Sequence, residues 1–238
     1  MKKYEFTGET KQVELLFRTV TLHRIKAVAE FGIVKVGDLG GWIEKEENLS
    51  HEEKAWVYGD AEVCGDAKVY GNAKVYGNAK VYGDAEVCGD AKVCGNAWVY
   101  GDAEIYGDAK VYGDAEVYGN AEIYGNAWVY GDAEVYGDAK VYGDAEVCGN
   151  AWVYGDAEVF SISHALVIGP IGSRNDFTTF FRDKDSEITV KCGCFLGKIE
   201  KFLEKVCETH GDSKYAIVYR TAVEIAKQQI DLSEEKQL

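Results

Sequence analysis

Eighteen six-residue units follow one another from Ala55 to Phe160 without gap or insertion. The first is Ala55-Trp56-Val57-Tyr58-Gly59-Asp60, and the last is cut short at Ala157-Glu158-Val159-Phe160. Self-similarity at a short, fixed period is the signature of a solenoid, in which each unit buries its apolar side only by stacking on its neighbours. Within a unit the order is Ala, then Lys, Glu or Trp, then Val or Ile, then Tyr or Cys. Alternate residues of an extended chain point to opposite sides. Lys68, Lys74 and Glu86 must reach water, so Ala and Val share the inner side and Tyr shares the outer one. Gly-Asp or Gly-Asn ends each unit, because a tight corner needs backbone freedom that Gly supplies and Asx tolerates.

A strand of about four residues cannot form a stable hairpin alone. Turning in one sense at every corner, three units close a triangular coil of 18 residues. The array then makes about six coils, a stack of roughly 29 Å at about 4.8 Å per strand spacing. Its eighteen Val and Ile residues fill the interior, each contributing roughly 1.5–3 kcal/mol on burial, enough to offset much of the ordering entropy. A propeller fits poorly, since its blades repeat at about 40–45 residues.

The Ala-x-Val/Ile pattern resembles the hexapeptide-repeat family, with Ala61, Ala67, Val63, Val69, Ile105 and Ile123 matching its small and aliphatic positions. The resemblance implies a left-handed parallel β-helix. Residues 1–54 are expected to cap one end: Val13–Phe17 and Thr19–Ile25 read as strands, and Gly37–Trp42 as a turn-rich crossing. The segments Ala27–Phe31, Val34–Gly37, Gly40–Ile43, Asn48–Ser50 and Ala55–Val57 resemble the start of a family of bacterial β-helix proteins, many of them labelled transferases. That likeness implies a shared cap. Residues 161–238 are expected to form a small α+β module for oligomerisation or recognition. Ala165–Gly172 reads as a strand and turn, Phe177–Arg182 and Ile188–Cys192 as a hairpin, Phe195 to Val206 as one helix and Tyr215 to Ala226 as a second. This tail resembles those on hexapeptide-repeat proteins of phages and prophages. The fold class is therefore mainly β, a parallel β-helix with a β cap and a hairpin-plus-two-helix module.

The formal charge is −15, and the array contributes most of it, with six lysines as its only cations. An acidic surface of this kind disfavours nucleic acids and anionic membranes as partners. Seven cysteines, four of them in the Tyr slot and none of those four 18 residues apart, give no disulfide framework. A reducing cytoplasm is expected, with no apolar leader in the sequence and no span long enough for a membrane.

Many hexapeptide-repeat proteins are CoA-dependent acyltransferases that use a His as general base. His164, just past the array, is the one residue placed to serve in that way, at an inter-subunit site. Stacked corner carboxylates such as Asp66, Asp84 and Asp102 repel, and either a divalent ion or the interspersed Asn72, Asn78, Asn96 and Asn120 relieves this. No cofactor and no metal are expected, and Cys192-Gly193-Cys194 lacks the second pair a zinc site needs. In the tail, Ser173, Arg174, Asn175, Thr178, Thr179, Arg182 and Arg220 are candidates for a small anionic ligand. On the array, Tyr82, Tyr100, Tyr118, Tyr136 and Tyr154 form one outward file, and Trp98 and Trp152 share a face, different from that of Trp56 and Trp128. Aromatic area on that scale points to self-association or a protein partner. The reading favoured is a non-enzymatic binding or assembly protein, a rigid rod with a head. A homotrimer is implied by the family, and the phage resemblance implies a host factor or a sequestered small molecule. The competing reading is the acyltransferase.

Overall fold

The computed structural model describes residues 2–15 and 18–233. A β-solenoid of about seven turns runs through the middle, built on three parallel sheets. One face carries Glu62–Val63, Lys80–Val81, Trp98–Val99, Glu116–Val117, Glu134–Tyr136 and Trp152–Tyr154 (face one). Face two carries the set from Trp56–Val57 to Glu146–Val147, and face three the set from Lys68–Val69 to Glu158–Val159. Each residue pairs with the one 18 positions on, as in Lys92 with Lys110 and Val93 with Val111. The period is thus also the register, and every side-chain type repeats along a straight file.

The inner side is Ala and Val/Ile throughout, fully buried over nearly the whole array. Each coil donates to the next through evenly spaced backbone bonds, such as Trp98 N–H to Ala115 O at 2.9 Å and Tyr100 N–H to Val117 O at 3.0 Å. Most corners have room only for glycine. At Gly101, φ is +73° and a Cβ would sit 2.9 Å from the nitrogen of Gly119.

The cap and the solenoid are less separate than the sequence pattern indicates. Tyr4–Glu14 and Thr19–Ala27 form an antiparallel hairpin that continues onto Leu39–Ile43. Leu39–Ile43 then pairs parallel with Glu62–Val63, and Leu49 bridges parallel to Val69. Residues 39–54 therefore supply a further coil beneath the hexads, with no hexad in it. Gly40 and Gly41 let it approach: a Cβ on Gly41 would lie 2.5 Å from Val57 and 2.6 Å from the Ala61 carbonyl. Buried Asn48 donates to the Gly65 and Ala67 carbonyls, satisfying groups a strand would otherwise cover. Leu16 and Phe17, read as the end of the first strand, lie outside the described residues.

The far end is closed by Ala165–Ile171, Asp176–Arg182, Ile188–Cys192 and Phe195–Lys198, an antiparallel four-stranded sheet, and by helices α1 (Ile199–His210) and α2 (Lys214–Gln229). The hairpin around Asp183–Asp185 forms as its sequence indicates. Phe195 and Leu196 do not begin the helix. They lie in the fourth strand, where Cys192 pairs with Phe195 across a turn at Gly193. Phe181 joins the solenoid core, while Phe180, one residue earlier, joins the core beneath the helices. Alternation along one strand thus seals two cores. No described helix is long and apolar enough to cross a membrane.

Candidate functional site

His164 lies in a short 3-10 turn, Ile162–His164, directly after the last coil. Its side chain is fully enclosed. The Phe160 N–H donates to its Nδ1 at 3.3 Å, and its ring meets that of Phe160 edge-on at 4.3 Å. A ring with no accessible surface reaches no acceptor substrate, so this geometry holds the chain reversal after the array and does not present a general base.

The seven tail residues expected to gather around an anion are spread over separate places. Ser173 and Arg174 face a cleft of about 480 Å³ lined also by Cys194, Lys205, His210 and Tyr219. Asn175 takes the left-handed conformation (φ +52°) that turns the strand back. Thr178 is buried and donates to Cys192 Sγ at 3.3 Å. Thr179 accepts the Trp152 N–H at 3.0 Å, tying the tail to the last coil. Arg182 is buried at the same junction. It donates to Ser186 at 2.6 Å, lies 3.9 Å from Glu158 and covers the Phe160 ring at 4.8 Å. Arg220 bonds the Gly211 carbonyl at 3.1 Å and faces Asp212 at the α1–α2 turn. Thr179 and Arg182 are docking groups, and only Ser173 and Arg174 line the cleft.

The aromatic file takes the form the sequence implies. Tyr82, Tyr100, Tyr118, Tyr136 and Tyr154 stack face to face with centroids 4.9, 4.8, 4.7 and 4.5 Å apart. Parallel register at one-coil spacing leaves the rings no other arrangement. Trp98 is 39% and Trp152 37% exposed, and both keep a cation against the indole: Lys80 over Trp98 at 5.0 Å and Lys191 over Trp152 at 4.6 Å. Burial and the Glu116 carboxylate push the Tyr82 hydroxyl up to about 12. Burial, with Tyr154 and Glu134 beside it, does the same at Tyr136, to about 12.

At its lower end this face becomes a groove of about 770 Å³. The N-terminal hairpin forms one wall with Val13 and Leu15, and Tyr82, Trp98 and Tyr100 form the other. The wall was not legible in the sequence, because nothing in a hairpin specifies which solenoid face it lies beside. There is a second open face: Lys74, Lys92 and Lys110 with Trp128, on face two, line a cleft of about 630 Å³. The signal was present as three lysines spaced 18 apart. The corner carboxylates are partly relieved by amides, as in Asn96 to Asp114 at 2.9 Å and Asn120 to Asp138 at 2.8 Å. Among the described residues no cluster of three or more potential metal ligands forms.

Against known proteins, no family model matches the chain, and no curated protein matches it.

Proposed function

We propose that the protein is a recognition and assembly rod that works through face one, without catalysis. One observation carries this reading. The ring file from Tyr82 to Tyr154, with Trp98 and Trp152 beside it, spans five successive coils and leaves both indoles more than a third exposed. A rigid aromatic surface of this length loses little entropy when a partner covers it. The enclosed His164 weakens the acyltransferase reading. The hexapeptide-repeat resemblance supports a left-handed coil and a homotrimer, and the likeness of the tail to phage proteins supports a host protein as a further partner. The tail cleft with Arg174 favours, as a second reading, capture of a small anion.

Light scattering on the full chain tests the proposal. The expected mass is three times the 26.3 kDa of one chain, falling when Trp98→Glu places a charge on the face. A full-length monomer that captures no protein through face one overturns it.

A further inference from the structure

The array has six lysines, and they fall into two groups. Lys68, Lys80 and Lys140 each pair with a glutamate one coil away, at 3.0, 3.8 and 2.7 Å from Glu86, Glu62 and Glu122. Lys74, Lys92 and Lys110 form no ion pair among the described residues. Register explains the difference. On face two, Lys92 stands beside Lys74 on one side and Lys110 on the other, so each ammonium has a like charge for a neighbour. The next coil up offers Trp128, with Lys110 4.0 Å from its ring. The rings of Tyr112 and Tyr130, on the same face, are 4.9 Å apart, which is the rise from one lysine to the next. Three unneutralised cations at that spacing on a chain of formal charge −15 are a local inversion of sign. They line the cleft of about 630 Å³, whose lower end is overhung by Phe31, Gly32 and Ile33.

We propose that this cleft binds a linear acidic glycan, a polyuronate chain lying along the solenoid axis with its carboxylates against the lysine file. Successive units of an extended chain are turned over, so the carboxylates on one side recur at every second unit and meet alternate lysines, Lys74 and Lys110, with Lys92 between them. Asp90 and Asp108 line the same cleft. Their carboxylates accept hydrogen bonds from sugar hydroxyls, which a phosphate chain does not carry. Trp128 offers an apolar ring face for a sugar to lie on. A second copy of this chain is a poorer occupant, because on its face three Glu86 and Glu122 already hold Lys68 and Lys140, Glu158 faces Arg182, and Glu104 alone would answer three lysines. The site lies on a different face from the aromatic file, so it stands or falls independently of the assembly reading.

Isothermal titration of the full chain with a galacturonate oligomer, a neutral galactose oligomer of equal length and inorganic polyphosphate tests it. The galacturonate oligomer is expected to bind, and the other two to bind at least tenfold more weakly. Lys92→Glu gives Lys74 and Lys110 a partner, which stabilises the file, so lost binding in that variant is not lost folding. It is expected to weaken galacturonate binding at least tenfold, Trp128→Ala to weaken it several-fold, and Lys68→Ala on face three to leave it unchanged. Absence of galacturonate binding, equal losses in Lys92→Glu and Lys68→Ala, or polyphosphate binding as tight as galacturonate would each overturn the proposal. So would a fall in solution mass on Lys92→Glu, which would assign the face to a second copy.

Discussion

Tyr106 donates to the Glu122 carboxylate at 3.2 Å, and Lys140, one coil further on, donates to the same carboxylate at 2.7 Å. The offset from Tyr to Glu is 16 residues, one coil less the two positions that separate Tyr from the charged slot. The same link recurs from Tyr70 to Glu86 at 2.8 Å and from Tyr130 to Glu146 at 3.1 Å. Outer side chains are therefore bonded between coils as well as stacked, and the glutamates act as ties along the rod. Removing one tie tests this. Tyr106→Phe keeps the ring stack with Tyr124 (4.8 Å) and loses only the hydroxyl. It is expected to cost about 1 kcal/mol, and Glu122→Ala more, since it also strands Lys140. The midpoint of urea unfolding measures both.

The phenols of the files ionise late. Burial, with Glu116 second, pushes Tyr82 up to about 12, and burial with Glu158 second pushes Tyr142 up to about 12. A folded-state pKa above the unfolded value of 10.0 gives stability that is complete below pH 10 and is lost as pH rises through the folded value. Spectroscopic titration of phenolate absorbance should show the folded protein ionising fewer of its 16 tyrosines near pH 10 than the urea-unfolded chain. Unfolding should become steep above pH 10. Coincident titration curves for the two states would refute the raised values.

At the opposite end of the pH scale the tail is the sensitive part. Burial pushes the Asp183 carboxyl up, but hydrogen bonds from Lys198, Thr189 and the Glu187 N–H outweigh it and hold the group below the usual carboxylate range. A depressed folded value contributes stability above the unfolded pKa and loses it as pH falls through the folded one. Asp183 pairs with Ala157 of the last coil, so its protonation loosens the contact between tail and solenoid. Asp183→Ala is expected to cost about 1–3 kcal/mol at neutral pH, because Thr189 and the Glu187 N–H lose their acceptor while Lys198 keeps Glu187 at 2.6 Å. It should also flatten the acid limb of the thermal melting curve.

How much of this was legible depended on whether a contact follows the period. The buried Val and Ala files, the face assignment of Trp98 and Trp152, and the ring stack from Tyr82 to Tyr154 all follow from counting 18, since register and repeat coincide. Contacts made by non-repeating residues do not. Trp56 occupies an outward slot, yet it is 1% exposed because Phe31 and Tyr4 cover it, and no local pattern in the cap specifies that contact. The coil formed by residues 39–54 was hidden because Ile43 and Leu49 enter the Val files without a hexad around them. Arg182 read as a ligand group because a charged residue near a glycine turn suits an anion. The packing of Phe181 on the last coil turns it toward Glu158 instead.

The corners give the sharpest test of the coil geometry, because two effects that usually travel together separate there. Gly101 and Gly149 share the left-handed conformation, with φ of +73° and +64°. A Cβ on Gly101 would meet the nitrogen of Gly119 at 2.9 Å, whereas one on Gly149 meets nothing within 4 Å, because no further hexad corner lies above it. Gly149→Ala therefore carries only the conformational cost, about 1 kcal/mol. Gly101→Ala adds a backbone clash that only a wider coil spacing can relieve, and wider spacing weakens bonds such as Asp102 N–H to Gly119 O at 2.9 Å. The expected difference between the two variants is about 2 kcal/mol or more, read as a larger fall in the melting temperature for Gly101→Ala. Equal losses would mean that the stack relaxes at no cost. The solenoid would then be softer along its axis than its backbone bonding implies, and the rigid rod on which both proposed binding faces depend would have to be abandoned.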